Sequence, residues 1–181
     1  MEVPGSLPLI REAGPDDLSA ILRITNDAIE NTDALWITTP FTLEQRRRWF
    51  EDRLAQGYPV LVAVDSDGAV TGYGSYGSFR AYEGYARTVE HSVYVAPDFQ
   101  RRGIGRQLLR ALINHAKEAG FHMMVAGITA DNAASVAMHL ELGFQNCGTL
   151  PQVGRKHGRW LDLLFMTLSL DDIHTVEKDF S

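Results

Sequence analysis

SVYVAPDFQRRGIGRQLLRAL, residues 92–112, joins a β-branched run to an apolar-periodic one through QRRGIGR at 100–106. Leu108, Leu109, Leu112, Ile113 and Ala116 recur at helical spacing and Gly120 supplies a stop, so a helix is expected from about Gly103 to Ala119. Val89 to Val95 reads as the strand before it. A helix N-terminus already carries about half a positive charge and unpaired backbone N–H groups, so Arg101, Arg102 and Arg106 are individually unfavourable there. An anion removes the conflict. Gly103 and Gly105 let such a ligand approach the backbone, and strand, glycine loop and helix together form a phosphate-binding arrangement. The competing reading is a solvated basic turn.

Composition narrows the setting. The 181 residues are 45% hydrophobic and 22% charged, which suits one globular domain with a real core. The net charge of −6 argues against a general nucleic-acid or anionic-membrane binder and makes the local basic cluster more informative. Cys147 has no second cysteine to pair with, which is consistent with a reducing cytoplasm, and it reads as a small apolar filler. MEVPGSLPLI (1–10) lacks a basic leader and a long apolar core, and no later run approaches the ~20 apolar residues of a membrane span. A soluble, unprocessed, cytoplasmic chain is expected.

Elements alternate without repeats. LIREA (9–13) reads as a short strand, and Asp16 and Asp17 offer a cap for a helix through Ala28. Thr42 can cap a second helix to about Ala55. PVLVAVDSDGAVTGYGSY (59–76) has the form of a hairpin turning at Asp67-Gly68. Beyond the central helix come a strand at 123–128, a helix from Asn132 to about Leu142, and strands at 144–150 and 160–170. The pattern is that of a mixed α/β (α+β) domain over 9–170, with an N-terminal extension at 1–8 and a tail at 171–181.

Gly72, Gly74 and Gly77 spell G-x-G-x-x-G, but the string continues into SFRAYEGYAR rather than an apolar-periodic helix, so a dinucleotide site is not expected. No G-x-x-x-x-G-K-[ST], H-E-x-x-H or CxxC occurs, so ATP hydrolysis and a metal centre lack a motif.

Gln100-Arg101-Arg102-Gly103-Ile104-Gly105 fits Q/R-x-x-G-x-G/A, and NAASVAMHLELGF (132–144) follows in order; in both the chain resembles the GNAT acyltransferases over roughly residues 9–170. The resemblance implies a twisted mixed sheet of six or seven strands flanked by about four helices and splayed to admit acetyl-CoA. It implies that pyrophosphate rests on the amides of Arg101 to Arg106 while pantetheine runs beside Val93, Tyr94 and Val95 like an added strand. Asn132 either caps the fourth helix or contacts the cofactor arm. Where many relatives carry a tyrosine that protonates the departing thiolate, this chain carries His139.

GYGSYGSFRAYEGYARTVEHSVYV (72–95) and LPQVGRKHGRWLDLLFM (150–166) resemble the phosphinothricin and methionine sulfone/sulfoximine N-acetyltransferases within that family. The implied activity is acetylation of the α-amino group of a small amino acid analogue, by a homodimer that needs no metal. Glu90 is the expected base for the amine, directly or through water, and strand alternation turns it away from His91, which reads either as a packed core histidine or as the alternative base. The competing role of Glu90 is an ion pair with Arg80 or Arg87. Arg80 suits a substrate carboxylate through its bidentate fork, with Ala81, Tyr82 and Trp36 as further substrate contacts. The segment Gly154 to Trp160 is expected at the substrate end of the cleft or at a subunit contact. The alternatives are acetylation of a protein N-terminus or a polyamine, and a non-catalytic acetyl-CoA sensor.

Overall fold

The computed structural model describes residues 8–171, so the expected terminal segments lie almost wholly outside the described residues. The chain runs β1 (Leu9–Glu12), α1 (Leu18–Asn31), α2 (Leu43–Ala55), β2 (Val60–Val64), β3 (Val70–Ser78), β4 (Thr88–Val95), α3 (Ile104–Glu118), β5 (Met123–Thr129), α4 (Ala133–Glu141), β6 (Gln145–Lys156) and β7 (Arg159–Ser169). The strands form one mixed sheet in the order β1-β2-β3-β4-β5-β7-β6, in which β4 and β5 are the parallel pair. The expected sheet and its four covering helices are therefore present.

Alternation along β3 gives its two faces different neighbours. Tyr73 packs with Ile21, Ile24, Phe50 and Val62 under α1 and α2, while Tyr76 packs with Leu108, Leu112 and Met124 under α3. The glycine string on this strand has a packing role. A Cβ on Gly72 would stand 3.2 Å from Leu108 Cδ1, and one on Gly74 would stand 3.0 Å from Leu112 Cδ1, so both glycines let α3 settle against the sheet. Their strand is antiparallel to both neighbours, which is not the context of a dinucleotide loop.

Two boundaries and one cap differ from expectation. The first helix continues to Asn31, and Asp17 does not cap it with its side chain. Its carboxylate instead pairs with Arg11 at 2.7 Å and accepts the Gly14 N–H at 2.8 Å, fixing a 3-10 turn over Pro15–Asp17. Thr42 does cap α2, in a reciprocal box with Gln45. The strand expected to end at Leu150 runs on to Lys156, because β6 is an edge strand interrupted by irregular register between Leu150 and Gly154, where Pro151 removes no needed hydrogen bond.

The site follows from the sheet's centre. Pairing of β4 with β3 extends along Val89–Val95, whereas pairing with β5 stops after Thr88–Glu90. Beyond Glu90 the two parallel strands separate, and β5 continues against β7 as far as Thr129. Each strand then presents an edge without a ladder partner to the wedge between them.

Candidate active site

The wedge is a cleft of about 690 Å³. Val93, Tyr94 and Val95 line one wall, and Ala126 to Thr129 line the other. Its mouth is the 100–106 loop. Gly103, in the left-handed region at φ 79°, precedes α3, and the first helical bond runs from Gln107 N–H to Gly103 C=O. The amides of Ile104, Gly105 and Arg106 therefore have no acceptor within the helix. Arg101 also has a positive φ of 61°, a local conformation that helps form a concave anion-binding nest. Nothing lies within 4 Å of where a Gly103 Cβ would be, so the loop's surface is open to a ligand. Free amides, an unpaired strand edge and this volume fit a pyrophosphate with an extended arm.

The arginines divide. Arg101 lines the cleft, whereas Arg102 stacks over the Phe99 ring at 5.1 Å outside the lining. Arg106 forms an ion pair with Glu141, tying α3 to α4 beside the mouth. Asn132 lines the cleft and also caps α4, its Oδ1 accepting the Ser135 N–H at 3.1 Å. Both roles weighed from the sequence are thus geometrically compatible.

His139 is 3% exposed and stacks on His91 with ring centroids 5.1 Å apart. Its Nδ1 lies 2.7 Å from the Ser135 carbonyl, an obligate acceptor, so that nitrogen carries the proton. His139 Nε2 then accepts from His91 Nε2, 3.1 Å away, which leaves His91 Nδ1 bare and without a partner among the described residues. Burial pushes His91 down to about 3, reinforced by His139, and also lowers His139. Both rings are neutral at neutral pH. The acid role expected of His139 needs an N–H aimed at the sulfur, and in this tautomer neither ring nitrogen of His139 offers one.

A second cavity of about 350 Å³ adjoins the first, and the two share His91, Ser92, Tyr94, Gly127 and Thr129. Glu90 lines it, on the strand face opposite to the His91 ring. Its Oε1 lies 3.1 Å from where a Gly127 Cβ would be, so Gly127 provides the space that the carboxylate occupies. Burial raises the Glu90 pKa, and the charge of Arg80 partly opposes that rise. No hydrogen bond or ion pair joins Glu90 to Arg80 or Arg87 among the described residues; Arg87 instead donates to the Gly120 carbonyl.

Trp36 lines this second cavity and donates from Nε1 to Thr129 Oγ1 at 2.9 Å. Its ring lies on Gly154, where an added Cβ would stand 2.2 Å from the ring edge. Within the 154–160 segment, Gly154 therefore supports the Trp36 wall of this second cavity. Lys156 donates to the carbonyls of Thr32 and Leu35 at 2.6 Å each, and Asp33 receives His157 and Arg159. Arg80, by contrast, is exposed and folded back on Phe79, with its guanidinium 4.2 Å from the ring centroid. Ala81 is exposed and Tyr82 is 77% exposed; neither lines either cavity. Of the lining residues that the sequence reading did not single out, Arg53 is the charged one. Arg53 lies in RRRWFEDR, a stretch whose charges read as an outer helix face, and nothing local marks it as inward.

Two cavities sharing one wall, one suited to a phosphate-bearing donor and the other holding a buried carboxylate, define a group transferase. The chain belongs to the acetyltransferase (GNAT) family, whose model matches residues 21–144. It is 56% identical over 162 residues, 90% of this chain and 94% of the relative, to an L-methionine sulfoximine/L-methionine sulfone acetyltransferase of Pseudomonas aeruginosa. The Salmonella typhimurium protein yncA, solved with its cofactor acetyl-CoA, superposes with a TM-score of 0.89 at 47% identity, covering 96% of this chain and 99% of that one. A phosphinothricin acetyltransferase from Sinorhizobium meliloti, in complex with acetyl-CoA, gives 0.89 at 35% identity over 91% of this chain and 89% of its own. Among the described residues no helix is long and apolar enough to cross a membrane.

Proposed function

We propose that the protein transfers acetyl from acetyl-CoA to the α-amino group of a small amino acid analogue of the methionine sulfone, methionine sulfoximine or phosphinothricin type. The observation that carries this reading is Glu90, a half-buried carboxylate with a raised pKa, set in a compact cavity that opens on the donor cleft at the point where β4 and β5 part. The 56% identity to an enzyme named for such substrates supports the substrate class.

The donor supplies an activated acetyl thioester, held by the 101–106 amides and the Val93–Val95 edge. Asn132 flanks its arm. Glu90 takes a proton from the bound ammonium, directly or through water, so that the nitrogen can attack. A free N–H on the parted strand edge donates to the acetyl oxygen as it gains charge. Water in the cleft returns the nitrogen's second proton to the departing sulfur, and His139 holds the His91 ring at the junction of the two cavities. Arg80, swung from Phe79, pairs with the α-carboxylate beside the exposed Ala81 and Tyr82, and Trp36 closes the far wall. No metal takes part. We further propose a cytoplasmic homodimer, for which exposed Leu150, Val153 and Trp160 on the last hairpin offer apolar contact area.

The test is thiol release from acetyl-CoA across amino acids, their sulfone, sulfoximine and phosphinate analogues, the corresponding decarboxylated amines, a polyamine and an N-terminal peptide. Turnover that requires the α-carboxylate supports the reading. Preference for the peptide or polyamine rejects it in favour of another acetyltransferase, and acetyl-CoA binding without turnover on any amine identifies a sensor.

A further inference from the structure

The inner face of α2 carries two arginines, Arg46 and Arg53, and the structure treats them differently. Arg46 is 5% exposed, but its guanidinium lies between two aromatic faces, 4.7 Å from the Phe41 centroid and 4.6 Å from that of Trp49. Those faces partly replace its lost hydration. Arg53 has no such arrangement. The Nε of each arginine is buried without a partner, but the nearest ring centroids to Arg53, of Trp49 and Tyr58, are each 5.9 Å away, and among the described residues its guanidinium makes no hydrogen bond or ion pair. Arg53 is half-buried, with its Nε buried and unpartnered, and the planar donors of its guanidinium are built for oxygen acceptors.

The surroundings of Arg53 show where such an acceptor would be. It lines the same cavity as Glu90, and its Nη1 lies 1.7 Å from where a Cβ on Gly77 would stand. Gly77 pairs directly with Glu90 across β3 and β4, so the guanidinium lies over the strand beside the proposed base. Gly77 has no positive φ, so space for Arg53 is the reason a side chain is excluded there. The cavity thus offers the acceptor a guanidinium of its own, distinct from the exposed Arg80. Sulfones, sulfoximines and phosphinates differ in charge and in the central atom, yet all carry strongly accepting oxygens at the end of the side chain.

Resting on the acceptor class proposed above, we propose that Arg53 binds the side-chain oxygens of the acceptor and selects for oxidised sulfur or phosphinyl groups over plain alkyl or thioether side chains. The test is a cycle between protein and ligand. The wild type and Arg53→Met are assayed with methionine sulfone and with methionine, which differ only in those oxygens, at saturating acetyl-CoA. Arg53→Met is expected to lower kcat/KM for the sulfone by about 10–150-fold, mainly through KM, and for methionine by a much smaller factor. Gly77→Ala, which displaces the guanidinium but keeps its charge, should reproduce part of the sulfone-specific loss with the acetyl-CoA KM unchanged. Equal losses on both acceptors, or none, overturn the assignment while leaving the amino-acid reading intact. If the wild type acetylates no free amino acid, that reading fails separately and binding decides. The Arg53 guanidinium N–H resonances, assigned by their loss in Arg53→Met, should shift when methanesulfonate is added to the CoA-bound wild type; no shift overturns the proposal.

Discussion

Glu90 and His91 are neighbours on one strand, and burial acts on them in opposite senses of protonation. Desolvation disfavours the charged form of each, so it makes the carboxylate a better base and the imidazole a poorer one. That difference favours Glu90 over His91 as the proposed base. Glu90→Gln is expected to lower kcat by about 10²–10⁴-fold with a smaller change in acetyl-CoA KM. In the wild type kcat/KM should rise with pH through a midpoint above the usual carboxylate range, and that limb should be missing from the variant. Near-normal kcat across pH 6–9 would move the step elsewhere. His91 leaves its mark on stability instead. Its folded pKa of about 3 lies below the ordinary value of 6.5, so between those limits the unfolded chain binds the extra proton and stability falls as pH falls. His91→Gln keeps a neutral donor toward His139 and should flatten the decline of Tm between pH 6.5 and 3. An unchanged slope would mean that other groups govern the acid sensitivity.

At the level of elements, the strand, loop and helix at 89–119 were legible because every signal is local: β-branched strand residues, two glycines, arginines and an apolar helix stripe. The same locality explains what was not legible. The inward turn of Arg53 depends on a glycine in another element, and the stacking of His139 on His91 joins residues 48 apart. Pro151 hid the length of β6, because sequence alone does not say that this strand lies at the sheet's edge. The loop itself yields a prediction. Gly103 combines a φ of 79° with open space around a Cβ, so valine there is strained in its backbone and projects from the loop surface that the ligand would occupy. Strain of this kind costs roughly 1–3 kcal/mol, and at about 2–4 °C per kcal/mol Gly103→Val should melt a few degrees lower. Its acetyl-CoA KM should rise while the acceptor KM changes little. A folded Gly103→Val protein with unaltered acetyl-CoA affinity would remove the pyrophosphate from this loop.

Across the whole molecule, the acceptor cavity is assembled from both ends of the chain. The segment between α1 and α2 brings Trp36, and the hairpin of β6 and β7, more than a hundred residues later, holds that segment in place. Lys156 is central to this contact: it is 3% exposed, and its ammonium donates to two carbonyls of the 32–35 loop while Asp33 nearby sustains its charge against desolvation. Gly154 completes the contact by admitting the Trp36 ring. Lys156→Met keeps most of the apolar stem but leaves both carbonyls without their donor. Losing hydrogen bonds to a charged group typically costs about 1.5–3 kcal/mol, which for a chain of this size corresponds to a fall in Tm of roughly 3–12 °C. The functional effect should be one-sided. The donor cleft is built mainly by β4, β5, α3 and α4 and takes only Ala34 from the loop that Lys156 holds, so the acetyl-CoA KM should rise little while the acceptor KM rises strongly as Trp36 loses its support. Parallel steady-state titrations of the two substrates, with thermal melts on the same preparation, check both halves. A lower Tm with equal changes in both KM values would show that Lys156 stabilises the fold as a whole rather than the acceptor wall.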